Sequence, residues 1–520
     1  MKHNKGHKPF GQAACESELQ VLKSDYPDLY FSETPFNEAS LDQSTYLIIG
    51  RRGAGKTALA QYFSFQEVMA NPIYINIDKP TTYHQVLSDV SARASDEREI
   101  AIPRLEKVWE YVLWRVIFTH ALTDTETSSA EEVPAQPPPD GRASGLVNSL
   151  IDAVAEFLRQ DGHQNGHIGK KIDRLVKDSV SDVQKMRVLE IAKSRPIIIA
   201  FDTLEKYDIA NDPLINAIAA LVQFAARFNV NYAVHGIHLK VFMSGEVFSY
   251  LEEEVLQNPS KSVSDPVYLL WRPKDLLRLI GWRFYHYLKV NNLLHNQSKG
   301  DVDWTNHREV HERLWVPYFG KEITNARGFR EGTFSYVLRH TQMRPRQLIL
   351  LCNSIAECSM HDGSFPVHSE RAIREGVKRQ ERELAAEIIN SFSARYPQVR
   401  TIVDSLMGIP MVFRGNELDR RASQSASEWP RGTYSQGAFR RLVAEVGIIG
   451  RTRKHEPDSG YIEADFQYSL RERLPLTHSD ECAVHPMFYS RFNVDCDLPS
   501  RVIPKFSAAL QSSDGDFDLA

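Results

Sequence analysis

Apolar residues in this chain fall into short unbroken runs and longer stretches of helical spacing, and their alternation predicts a mixed α/β fold. The runs Tyr46–Gly50, Ile73–Ile77, Arg195–Asp202, Leu239–Met243 and Val267–Leu270 read as strands, because strands covered on both faces are apolar throughout. Between them, helices are predicted over about 105–122, 146–158, 168–192 and 212–228. In the first of these, Trp109, Val112, Leu113, Val116 and Ile117 share one face, which should point into a core. Strands alternating with helices predict a parallel-sheet core over residues 41–272.

Beyond it the pattern changes. A helix is predicted over 275–288, and helical spacing with polar loops continues to 380, as in a helical lid. Pro345, between Arg344 and Arg346, falls at a helix start, where proline is tolerated. Over 381–475, helices near 381–393, 399–407 and 435–446 precede a basic strand, Arg451–His455. A turn at Pro457–Gly460 leads into the strand Tyr461–Phe466, and helices followed by a hairpin form a winged-helix pattern. Residues 1–40 read as an N-terminal lead-in and 476–520, with acidic Asp514, Asp516 and Asp518, as a loose tail. Residues 124–145 carry Glu131, Glu132 and a Pro137–Pro139 run, which predicts a mobile insertion in the core.

The densest chemistry lies directly behind the first strand. Gly50-Arg51-Arg52-Gly53-Ala54-Gly55-Lys56-Thr57-Ala58 is a glycine-rich loop feeding a helix. Gly50 and Gly55 are expected to adopt backbone angles that a side chain would forbid, so that the N–H groups wrap a phosphate. Lys56 is placed to reach the terminal phosphates, and the Thr57 hydroxyl to ligate Mg²⁺. Asp202, at the end of a buried strand, is the partner carboxylate, holding Mg²⁺ through water. The guanine-reading Asn-Lys-x-Asp pattern is absent, so ATP is the expected nucleotide.

Composition narrows the setting. At 520 residues the chain is too long for one core, and its formal charge of −5 gives no basic field that would advertise nucleic acid. Locally, however, residues 395–454 gather Arg414, Arg420, Arg421, Arg431, Arg440, Arg441, Arg451, Arg453 and Lys454, which could meet DNA phosphates. No apolar stretch is expected to reach the roughly 18 residues of a membrane span. The five cysteines form no CxxC pair, and a reducing cytoplasmic setting follows. His478, Cys482, His485 and Cys496 have spacings that fit no common zinc pattern.

Taken in order, the Gly50–Thr57 loop, the Asp202-Thr203-Leu204-Glu205 strand end, the strand ending at Ser244 and the Arg344-Pro345-Arg346 helix precede a winged helix. That order resembles the AAA+ superfamily near its border with STAND signalling ATPases, and is similar to bacterial P-loop ATPases that accompany anti-phage defence systems. The resemblance covers about residues 30–475. It implies that Lys56 binds phosphate, that Thr57 and Asp202 hold Mg²⁺, that Ser244 senses the γ-phosphate, and that Arg346 or Arg344 is a second sensor. Thr203 stands where such enzymes carry a water-activating Glu, which makes Glu205 the candidate base. No Arg lies between Ser244 and Pro266, where ring-forming relatives place an arginine finger; Lys261 is the cation there. The expectation is a slowly hydrolysing switch acting through self-association or an effector protein, with a DNA-binding ATPase resembling origin or transposition loaders as the alternative.

Overall fold

The computed structural model describes residues 8–65, 67–68, 71–77, 83–122, 143–159, 168–204, 211–256, 263, 265–324, 328–393, 395–456, 460–469, 473–494 and 501–505. The predicted insertion, apart from its last residues, lies outside them, as do Glu205, Lys261 and Cys496. The chain divides into two compact units, residues 34–269 and residues 1–33 together with 270–520.

The first unit is built on a parallel sheet of β1 (Leu47–Gly50), β2 (Ile73–Ile77), β3 (Ile197–Leu204), β4 (Ile237–Ser244) and β5 (Val267–Tyr268), in the order β2-β3-β4-β1-β5. The connection after β1 passes β4 and β3 to reach the edge, and every later step returns. Right-handed crossovers then put the helix Lys56–Tyr62 on one face and the helices of the later connections opposite. On the larger face, Trp109 of helix Arg98–Leu122 meets Phe201 of β3 edge-on at 5.5 Å. Its indole N–H donates to the Ala217 carbonyl of helix Asp212–Tyr232 at 2.8 Å. The predicted helix over 168–192 is two helices, Ile168–Ser179 and Asp182–Ser194.

One expectation is corrected here. Residues Asp212–His235 form a helix long and apolar enough to cross a membrane, but 72% of its most apolar window is buried inside the unit. It is apolar because it packs between the sheet and the helices Tyr83–Ala94 and Arg98–Leu122.

In the second unit, residues 8–33 are not a separate lead-in. Phe10 stacks on Phe284 of helix Pro273–Val290 at 4.6 Å, and its N–H donates to Asn353 Oδ1. Glu18 takes both terminal nitrogens of the buried Arg283 guanidinium, at 2.9 and 2.7 Å. The predicted border at 380/381 falls inside one helix, Glu370–Ser391, because Leu384, Ala385 and Ile388 continue the buried stripe of Ala372, Ile373 and Val377. The stretch expected to be helical also holds a small hairpin, β6 (Glu322–Thr324) with β7 (Arg330–Gly332).

A second sheet has the order β12-β10-β9-β11-β8. Its members are β8 (Val412–Arg414), β9 (Ile449–Glu456), β10 (Tyr461–Asp465), β11 (Glu481–Val484) and β12 (Arg501–Lys505). β9 and β10 form the predicted hairpin, and β11 lies between β9 and β8. The expectation of a loose segment after Pro475 is therefore corrected for 481–494 and 501–505. Cys482, Ala483 and Val484 are buried, and β12 runs parallel to β10. Four-residue strands carry too little periodicity to stand out from a loop.

Candidate functional site

The loop after β1 opens beside β4, where the direction of the connections reverses; open parallel sheets take ligands at such points. Gly53 and Gly55 have φ of 82° and 100°, in the left-handed region that glycine tolerates. A Cβ on Gly55 would meet nothing within 4 Å, so the loop is open on that side. Gly50 is glycine for another reason than the expected backbone angle. A Cβ there would lie 3.0 Å from Leu269 and 3.2 Å from the Lys56 side chain, so a larger residue would push the lysine stem aside.

Lys56 begins the helix Lys56–Tyr62 and is buried, its Nζ donating to the carbonyls of Gly50 at 2.9 Å and Arg51 at 3.4 Å. The Ala54 N–H turns back to the Arg51 carbonyl at 3.0 Å, and the Leu59 N–H bonds the Gly55 carbonyl at 2.9 Å. Arg51, Arg52, Gly53, Gly55, Thr57 and Ala58 are partly exposed around the buried Ala54 and Lys56.

Asp202 is 1% exposed and lies where the β3–β4 register shifts, between Phe201 and Leu204. Ser244 closes β4 directly opposite Gly50 in the β1–β4 register, and it is buried. Its hydroxyl caps the helix Gly245–Glu254 by accepting from the Val247 N–H at 3.3 Å. The same hydroxyl donates to Glu246 Oε2 at 2.9 Å. Three neighbouring strands, β3, β4 and β1, thus bring Asp202, Ser244 and the loop to the same end of the sheet.

Arg344 and Arg346 belong to the second unit. Arg344 is buried and donates to Gln342 Oε1 at 2.7 Å, while the Gln342 amide donates to the Val446 carbonyl at 2.9 Å. Arg346, partly exposed, pairs with Glu387 at 3.3 Å. Of the two, Arg346 has the more exposed side chain.

The reading of the sequence missed Lys240. This buried residue of β4 donates to the carbonyls of Ser40, Asp42 and Thr45 at 3.0, 2.8 and 2.6 Å, which ties down the segment that leads into β1. Burial pushes its pKa from 10.5 down to about 7. A lysine inside the apolar run Ile237–Met243 is the signal that could have revealed it.

Among the described residues, no group of three or more His, Cys, Asp and Glu side chains is arranged to hold a metal ion. Mg²⁺ at a phosphate site needs only one or two protein ligands, its other positions going to water and phosphate oxygens, and a hydroxyl such as that of Thr57 and a carboxylate such as that of Asp202 are donors of the kind it takes. The open glycine cradle and the buried ammonium fit a polyphosphate. Compared with known proteins, the chain matches no family model and no curated protein.

Proposed function

We propose that the chain is an ATP-binding, slowly hydrolysing switch of the AAA+/STAND type, with a P-loop core, a helical lid and a winged helix, working through an effector partner or self-association. The observation that carries this reading is the glycine-rich loop with its buried Lys56, set on a parallel sheet beside the strand ends of Asp202 and Ser244. The loop N–H groups and Lys56 hold the phosphates, and Ser244 faces the terminal one. Thr57 and Asp202 would hold Mg²⁺, which would supply charge neutralisation to the phosphates when bound. Glu205 is the proposed acceptor of the proton from the attacking water. The part in anti-phage defence rests on the resemblance of the loop and strand-end motifs.

The alternative of a DNA loader draws on residues 399–465, which run helix, strand, two helices and hairpin. Several of the cations it needs are already engaged. Arg440 pairs with Asp419, Arg441 with Glu445, Arg453 with Asp465 and Lys454 with Glu456, all within the second unit. These pairings weigh against a phosphate-binding face. Titration calorimetry with ATP and Mg²⁺ tests the reading: saturable one-to-one binding supports it, and no heat of binding up to millimolar nucleotide refutes it.

A further inference from the structure

The hydroxyl of Ser244 has one proton, and a carboxylate holds it. The Ser244 Oγ donates to Glu246 Oε2 at 2.9 Å while accepting from the Val247 N–H at 3.3 Å. A hydroxyl engaged in this way cannot also donate to a phosphate oxygen. The usual carboxylate of a capping box sits one residue further on and takes the backbone N–H of the cap. Glu246 instead takes the side-chain proton of the residue opposite Gly50.

The turn that carries this pair lies against the loop. A Cβ on Gly245 would come within 3.5 Å of the Arg51 side chain and 3.8 Å of its backbone nitrogen. Glu246 stands in the first turn of its helix, and its other carboxylate oxygen, Oε1, is buried.

We propose that Glu246 is a positioning residue that withholds the Ser244 hydroxyl until a terminal phosphate arrives, so that the pair distinguishes a nucleoside triphosphate from a diphosphate. This rests on the P-loop reading above. A γ-phosphate at the end of β1 and β4 brings negative charge toward the carboxylate, and like charges disfavour each other. The carboxylate gives up its hydrogen bond, the hydroxyl proton turns to a phosphate oxygen, and the start of helix Gly245–Glu254 loses one of its ties. A diphosphate leaves the pair intact. Displacing the carboxylate opposes triphosphate binding, so removing its charge should strengthen that binding selectively.

The test is calorimetric titration of the full chain with Mg²⁺ and either ADP or the β,γ-imido analogue of ATP. Glu246→Gln, which keeps shape and a hydrogen-bond acceptor without the charge, should bind the triphosphate analogue about tenfold tighter, with ADP affinity unchanged. Glu246→Ala should shift the ratio in the same direction, and Ser244→Ala should weaken the analogue selectively. A purely structural cap would lower the melting temperature in Ser244→Ala and leave the triphosphate-to-diphosphate ratio alone. Equal ratios in wild type, Glu246→Gln and Glu246→Ala, with Lys56→Ala losing both nucleotides, overturn the inference and keep the site. Unchanged nucleotide affinity in Lys56→Ala overturns the P-loop reading itself.

Discussion

The ammonium of Lys56 rests 2.9 Å from the carbonyl of Gly50, the residue that opens the loop Lys56 closes. Its stem also occupies the space a Cβ on Gly50 would take, so the two residues fit only as this pair. Lys56→Ala removes the one buried cation of the described loop residues 50–58. Charge-assisted hydrogen bonds contribute roughly 1.5–3 kcal/mol each, so ATP affinity should fall by about 10²-fold or more. Titration calorimetry reads this directly, and unaltered affinity would falsify the site.

Hydrolysis should depend on Glu205. If that carboxylate takes the proton from water, Glu205→Gln keeps ATP bound and slows turnover by roughly 10²–10⁴. Phosphate release under single-turnover conditions measures the effect. Equal rates in mutant and wild type would mean that Glu205 does not take the proton.

Lys240 gives the first unit a pH-dependent stability. The unfolded chain keeps the Lys240 proton to about pH 10.5, whereas the folded chain releases it near pH 7. Between these values the unfolded state binds more protons, so the contribution of Lys240 to stability rises with pH, by about 1.4 kcal/mol per unit. Below pH 7 both states are charged and the full penalty of burying the cation applies. Lys240→Met should lack this rise. It should also be destabilised by roughly 2–5 kcal/mol at neutral pH, because the carbonyls of Ser40, Asp42 and Thr45 lose their donor. Urea unfolding of both proteins at two pH values in this window measures both effects; parallel pH dependences would contradict the assignment.

Duplex DNA should bind weakly to the full chain. Each phosphate contact adds about −0.9 to the log–log salt slope, and the pairing of Arg440, Arg441, Arg453 and Lys454 with acids leaves few cations for such contacts. The expected slope is shallower than about −3, with or without ATP. A steep slope that flattens in the Arg440→Ala, Arg441→Ala double variant would reinstate the loader reading.

What the sequence determined by itself is local. The run Ile73–Ile77 names its own strand to the residue, because apolar run length is written in neighbouring residues, and Gly55 takes the left-handed angle expected of it; Gly50 does not, and β3 runs past Asp202 to Leu204. Tertiary structure decided what each polar group faces. Only the strand order brings Ser244 opposite Gly50, and only the turn after β4 gives its proton to Glu246. Phe10 and Asn353 meet across 343 positions, joining an apparent lead-in to the helical unit, and Arg440 finds Asp419 across 21. Periodicity reports which side of an element is buried. The partner of a hydrogen bond or an ion pair depends on residues far along the chain, and the folded arrangement alone brings them together.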